Sequence, residues 1–388
     1  MRDRIYLDHA ATTPLAPEAL AEMMPFWTES CGNPSSIHAT GREAHRALDT
    51  ARKRVAAAIG AEPGEIYFTS GGSESDNWAL KGAADALRDR GRHIVTSAVE
   101  HHAVLHACRW LEKQGFEVTC LPVDAMGRVD PEDVRKAIRK DTILISVMTA
   151  NNEIGTVQPV REIGETAREH GILFHTDAVQ AVGAIPVDVR EMKADLLSLS
   201  AHKFYGPKGV GALYVRRGTR LENLIHGGAQ ERGLRAGTEN VPCVAGMGRA
   251  IGKAAAELKE NAARITALRD QMIQGIREQI PEAVLNGDPV HRLPGNVHFT
   301  FPDVDGEALL LRLDLAGIAA SGGSACTSGS TEPSHVLQAI GQPPELSRGG
   351  LRLTMGRENT PEEIRETVQI LCDIVRDLRR QGSGARWG

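Results

Sequence analysis

Rings are scarce in this chain. Seven Phe, four Tyr and four Trp make up 4% of its 388 residues, so few aromatic faces are free to stack on bases. The formal charge of -5 is spread over intermixed Lys, Arg, Asp and Glu with no basic stripe, and nucleic acid is not expected as a direct ligand. No apolar stretch approaches the ~20 residues needed to span a bilayer, so no membrane partner is expected. The six cysteines (Cys31, Cys108, Cys120, Cys243, Cys326 and Cys372) are scattered without a Cys-x-x-Cys pair, and the amino terminus opens on charges instead of an apolar signal core. A reduced, cytoplasmic protein is the expectation. Internal repeats and low-complexity segments are also lacking.

What the chain does have is alternation. Short β-rich runs at 66–69, 94–97, 118–121, 143–147, 172–175, 196–199 and 211–215 are interleaved with helical patterns at 75–88, 103–114 and 160–170. Such a rhythm predicts an α/β fold with a mostly parallel seven-stranded sheet covered on both faces, its ligands gathered at the carboxyl ends of the strands. The length exceeds what one core usually fills, so a second domain is expected. We place a large domain at 14–258 and a smaller α+β domain at 1–13 plus 259–380, with 381–388 as a flexible tail. The run 241–279 is nearly all helix former and long enough to pass from one domain to the other. Further strands are expected near 296–301 and 351–355, with helices over 305–316 and 361–380.

Chemistry-bearing residues cluster at the ends of the predicted strands. Lys203 follows the apolar run 195–199 and precedes a turn stiffened by Gly206-Pro207 and Gly209. An apolar neighbourhood lowers a lysine pKa and leaves a neutral amine for an aldehyde, which suits a Schiff-base lysine and points first to pyridoxal phosphate. Gly71-Gly72-Ser73-Glu74-Ser75 sits at a strand-to-helix turn where free N–H groups favour a phosphate, although such turns also merely cap helices. Asp177 and Gln180, in His175-Thr176-Asp177-Ala178-Val179-Gln180, lie past another strand; the carboxylate suits a pyridinium nitrogen, or else caps the next helix. A metal read from His175 and Asp177 lacks an evident third ligand. Of the adjacent pair His101-His102, one can face a cleft as an acid/base or stacking group. Asn151-Asn152-Glu153 offers amides for a carboxylate or ring oxygen, or is an ordinary Asn-rich turn. Cys326 lies inside the Gly/Ser-rich stretch 321–330, a composition that suits a loop presenting a nucleophile, whereas Cys108, Cys120, Cys243 and Cys372 fall in helix or strand patterns and read as inert. Arg352 alternates with Leu351 and Leu353, so its guanidinium points away from the core they fill, free to clamp an amino-acid carboxylate or to make a surface ion pair.

Taken together, these motifs resemble the cysteine desulfurases of the class V aminotransferase family, specifically the NifS/IscS-like group. The likeness runs from Tyr6-Leu-Asp-His-Ala-Ala-Thr-Thr-Pro14 to the last helix and includes 32–38, 69–77, 151–155, 175–180, the Lys203 run, Arg235-Ala-Gly-Thr-Glu-Asn240 and the Cys326 loop. The resemblance implies a fold-type I pyridoxal-phosphate-dependent transferase that takes sulfur from L-cysteine, leaving L-alanine and a Cys326 persulfide. It makes Lys203 the cofactor-linking lysine, Asp177 the partner of the pyridine nitrogen and Gln180 a contact of the ring oxygen. It assigns the phosphate to Gly72, Ser73, Ser200 and His202, with Thr238 reaching in from the other subunit of a homodimer. His101 is to stack on the ring and exchange protons, taking the one from the Cys326 thiol, while Asn152 and Arg352 bind the substrate carboxylate. No resident metal is implied, though Cys326 stays open as a transient iron–sulfur ligand with a partner. The expected partner is a sulfur acceptor or iron–sulfur scaffold, with iron–sulfur assembly and tRNA thiolation both open. A selenocysteine lyase or another class V aminotransferase is the alternative. Ser73 stands where many relatives have Thr, which keeps the hydroxyl, and the tail does not look like the segment with which some relatives dock a scaffold.

Overall fold

Apolar runs and amphipathic stretches assemble into the expected sheet. The structure, a computed structural model, describes residues 4–322 and 334–384. Its first part comprises β1 (Ile5–Tyr6), α1 (Pro17–Thr28), α2 (Ala39–Ala58), β2 (Ile66–Thr69), α3 (Gly72–Ala86), β3 (His93–Ser97), α4 (His102–Lys113), β4 (Glu117–Leu121), α5 (Pro131–Ala137), β5 (Thr142–Ser146), α6 (Val160–Glu169), β6 (Leu173–Asp177), β7 (Leu196–Ser200) and β8 (Gly211–Val215). Strands β2 to β8 form one seven-stranded sheet in the order β2-β8-β7-β6-β5-β3-β4. Only β8 runs antiparallel to its neighbours; the other pairings are parallel. Strands β3, β5 and β7 are buried along their whole length, as helix layers on both faces require. Pairing of Asp177 with Ser198 across β6 and β7 sets those two strand ends side by side.

The long helical run resolves into α7 (Val241–Ala256) and α8 (Leu258–Gln279). Glu257, at φ −97° and ψ 3°, breaks the helix where its burial partners change. α7 contributes Val244, Met247 and Ile251 to the core of the large sheet, lying so close to α2 that a Cβ on Gly248 would fall 2.6 Å from Ala51 Cβ. α8 instead buries Leu268, Met272 and Ile276 in a separate core. After α8 come β9 (Val284–Leu285), β10 (Asn296–Thr300), α9 (Gly306–Leu315), β11 (Ile318–Ala319), α10 (His335–Ala339), α11 (Pro344–Ser347), β12 (Gly350–Thr354) and α12 (Pro361–Gly384). Of these, β10, α9, β12 and α12 fill the second core, whereas α10 packs Val336 and Leu337 against Val99, Met148 and Ile154. Strands β12, β10 and β9 make an antiparallel sheet. The amino-terminal β1 pairs with β11, and Ile5 and Leu7 enter the second core. The chain start is thereby carried across the seam between the two cores and delivered to the ends of β6 and β7. Among the described residues, no helix is long and apolar enough to cross a membrane.

Candidate active site

At the carboxyl ends of these strands lies one cavity of about 220 Å³, and Gly72, Ser73, His101, Asn152, Asp177, Gln180, Ser200, His202, Lys203 and Arg352 all line it. Two residues named from the sequence are not among them. Thr238 is exposed and lines no part of this cavity; Cys326 lies outside the described residues.

Lys203 closes a short 3-10 turn (Ala201–Lys203) directly after β7. Its Nζ donates to the carbonyls of Ala10, at 2.5 Å, and Ala11, at 2.8 Å. Gln180 Nε2 donates to the same Ala10 carbonyl at 3.0 Å. Backbone oxygens of the amino-terminal segment therefore fix the amine, a feature no side-chain pattern could reveal.

The anion end of the cavity is the start of α3. A Cβ on Gly72 would fall 2.7 Å from Val179 Cγ2, so only glycine lets the helix start come this near the turn after β6. This helix start lines the cavity together with Ser200 and His202, a set of groups suited to phosphate. His202 Nδ1 lies 3.1 Å from Thr12 Oγ1, and burial, with Lys203 and Lys208 nearby, pushes its pKa down to about 4.

Asp177 is buried at the end of β6 and accepts a hydrogen bond from Val179 N at 2.9 Å. Burial raises its pKa to about 6, held back by that hydrogen bond and by Lys203. It stays mostly ionised at neutral pH, as a partner for a protonated ring nitrogen must. Strand β6 continues through both residues, so His175 shares Asp177's face of the sheet, but its two nitrogens are engaged by Ser146 Oγ at 2.8 Å and Ser198 Oγ at 3.0 Å. Burial pushes its pKa down to about 3. Among the described residues, the three donors that do converge, within 4.8 Å of one another, are Asp76, His101 and Asp177.

His101 caps α4, with Ala103 N donating to its Nδ1 at 3.1 Å. Burial, then Lys203 and neighbouring histidines, push its pKa down to about 4. The neutral ring therefore keeps its proton on Nε2 and enters any reaction as a donor. To accept a proton it must give up the helix cap, which refines the role expected of it. His102 is half-buried and packs against His335, with ring centroids 4.7 Å apart.

Arg352 points away from the core of Leu351 and Leu353, as its alternation predicts, yet it is buried instead of lying on the surface. Its Nη1 donates to Asn152 O at 2.9 Å and its Nη2 to Asp8 Oδ1 at 3.0 Å, while Nε is buried with no partner among the described residues. A buried guanidinium N–H left unpaired favours an acceptor, and a carboxylate fits that fork. Asp8 and Asp76 were not singled out from the sequence: Asp8 lies in an extended segment, and Asp76 reads as an ordinary helix residue. The signal for Asp76 was its place one turn beyond Gly72 on the same helix.

The remaining cysteines among the described residues are poor nucleophiles or lie elsewhere. Burial pushes Cys108 up to about 12, and Cys120 is raised by burial and Glu100. Buried Cys243 and Cys372 sit in helices α7 and α12. A lysine amine, a buried carboxylate facing it, a glycine-built helix start and an orphaned guanidinium N–H together suit a phosphorylated aldehyde cofactor with an amino-acid substrate.

Comparison with known proteins gives the same picture. Residues 5–366 match the family model described as aminotransferase class-V. The cysteine desulfurase IscS of Methanosarcina thermophila is 56% identical over 375 residues, covering 97% of this chain and 93% of that protein. Among solved structures, a NifS-like protein superposes with a TM-score of 0.91 at 39% identity, covering 96% of this chain and 99% of that one. The structure of SspA in complex with cysteine gives a TM-score of 0.81 at 40% identity, covering 92% and 100%.

Proposed function

Because the chain belongs to the class V aminotransferase family and, within it, to the cysteine desulfurases, we propose that its cavity strips sulfur from L-cysteine and hands it to Cys326. The family works with pyridoxal 5′-phosphate, and the donor set fits that group. Bound there, the cofactor supplies an aldehyde for the amine of the amino acid and a ring that takes up electron density. Lys203 would link its aldehyde, and Gly72, Ser73, Ser200 and His202 would hold its phosphate together with Thr238 of a second copy in a homodimer. Asp177 would hold the ring nitrogen, Gln180 the ring oxygen and His101 the ring face.

The rest is done by the chain itself. Arg352 and Asn152 orient L-cysteine by its carboxylate, turning a two-body encounter into a positioned one. Lys203, which lines the cavity, would move the α-proton. The Cys326 thiolate attacks the substrate sulfur: the Cβ–S bond breaks, an S–S bond forms, and the carbon receives the electron pair and a proton to become alanine. L-cysteine plus a thiol thus gives L-alanine plus a persulfide, with no outside oxidant. The persulfide then passes to a protein acceptor such as an iron–sulfur scaffold.

The observation carrying this reading is the convergence on one cavity of Lys203 and nine other residues named from the sequence and its family resemblance. Borohydride reduction of the loaded protein followed by peptide mapping tests it. A phosphopyridoxyl adduct on Lys203 is expected; an adduct on another lysine, or none, overturns the assignment.

A further inference from the structure

Asp76 has no place in the reaction as described, yet it lines the same cavity. It is 1% exposed, one turn into α3, and has an oxygen within 4.8 Å of donor atoms of both Asp177 and His101. Its Oδ1 has no hydrogen-bond partner among the described residues. The nearest ring nitrogen, His175 Nε2, is 3.6 Å from Oδ1, too far for a hydrogen bond, and is engaged by Ser198.

Two buried carboxylates this close do not both ionise. Their surroundings decide which keeps the charge. Asp177 has the Val179 N–H and the field of Lys203. Asp76 faces the Asp177 carboxylate, the Glu100 carboxyl group, the neutral imidazoles of His101 and His175, and the Ser198 hydroxyl; only Ser198 favours its charge. A buried charged carboxylate oxygen without a donor is far more unfavourable than a neutral acid at the same place.

We propose that Asp76 carries a proton while Asp177 carries the charge, making Asp76 a positioning residue that keeps the negative charge where the ring nitrogen binds. The proposal rests on the reading of this cavity as a cofactor site. It explains why a second acid can sit beneath Asp177 without competing for the same cation. It also states what Asp76 supplies: a neutral hydrogen-bonding group of carboxyl shape, which an asparagine amide can replace.

The test is an infrared difference spectrum between the full-length wild type and Asp76→Asn, before and after loading, together with titration of pyridoxal 5′-phosphate into both apoproteins. A carboxylic-acid C=O band at neutral pH that disappears in Asp76→Asn is expected, with cofactor affinity kept within about threefold. Asp76→Ala is expected to weaken binding about tenfold, the range usual for supporting groups around a site, and Asn to rescue it. Absence of the acid band, or a loss of more than about tenfold in Asp76→Asn, overturns the proposal. The apoprotein spectrum decides the location of the proton even if no cofactor attaches to Lys203, an outcome that would count against the cofactor reading instead.

Discussion

Replacing Arg352 with lysine separates charge from shape at the point where the substrate carboxylate is expected. The guanidinium already spends Nη1 on Asn152 O and Nη2 on Asp8 Oδ1, and keeps a buried, unpartnered Nε. A carboxylate entering the cavity would meet Nε and share Nη2 with Asp8. Lysine keeps the positive charge but offers no planar fork. Each charge-assisted hydrogen bond contributes about 1.5–3 kcal/mol, so losing the fork removes roughly 3 kcal/mol, about 100-fold in kcat/KM. Because the contact holds the ground state as well as the transition state, most of the loss should fall on KM. Alanine formation across a range of L-cysteine concentrations reads this directly, with cofactor loading and denaturant midpoint measured on the same preparation. A KM within about threefold of wild type in a fully loaded, stable Arg352→Lys variant would show that the orphaned Nε is not the carboxylate site.

Glu100 gives a stability test. It is fully buried, its Oε1 accepts from Ser97 Oγ and Met148 N, its Oε2 has no partner, and burial raises its pKa to about 8. The folded state holds this proton and the unfolded state does not, so stability falls as pH climbs from the ordinary glutamate range through 8. Glu100→Gln keeps the Oε1 contacts, and after allowance for unmet amide donors it should stabilise by roughly 2–4 kcal/mol at pH 8 and little at pH 5. Equal effects in urea unfolding at both pH values would contradict this. Cys108, pushed up to about 12, is a thiol at any working pH, so Cys108→Ala should leave persulfide formation within about twofold by labelling; loss of transfer would reassign the nucleophile.

Much of the fold was legible because parallel strands buried on two faces need continuous apolar runs, and all seven such runs entered the large sheet. Helices α1 and α2 were not anticipated. α2 is rich in charge and α1 carries only Glu18 and Glu22, and both lie where no strand alternation frames them. Strands β1, β9 and β11 are two residues each, too short for a period to show. The site was legible where a side chain ends a strand, as with Asp177, Ser200 and Lys203. It was not legible where the backbone acts: the carbonyls of Ala10 and Ala11 that hold Lys203 leave no mark in the residue types. Arg352 was read in the right direction but with a surface pairing still open; burial was decided by Asp8, which reaches it from 344 positions away in the chain.

The most direct measurement of the account is a single turnover of the loaded enzyme with sulfur-labelled L-cysteine, counting alanine formed and mapping the label by peptide. One alanine per labelled Cys326, with no label and no persulfide in Cys326→Ala, is the predicted result. Label on another cysteine, or amino transfer that requires a keto acid and leaves Cys326 bare, would contradict it.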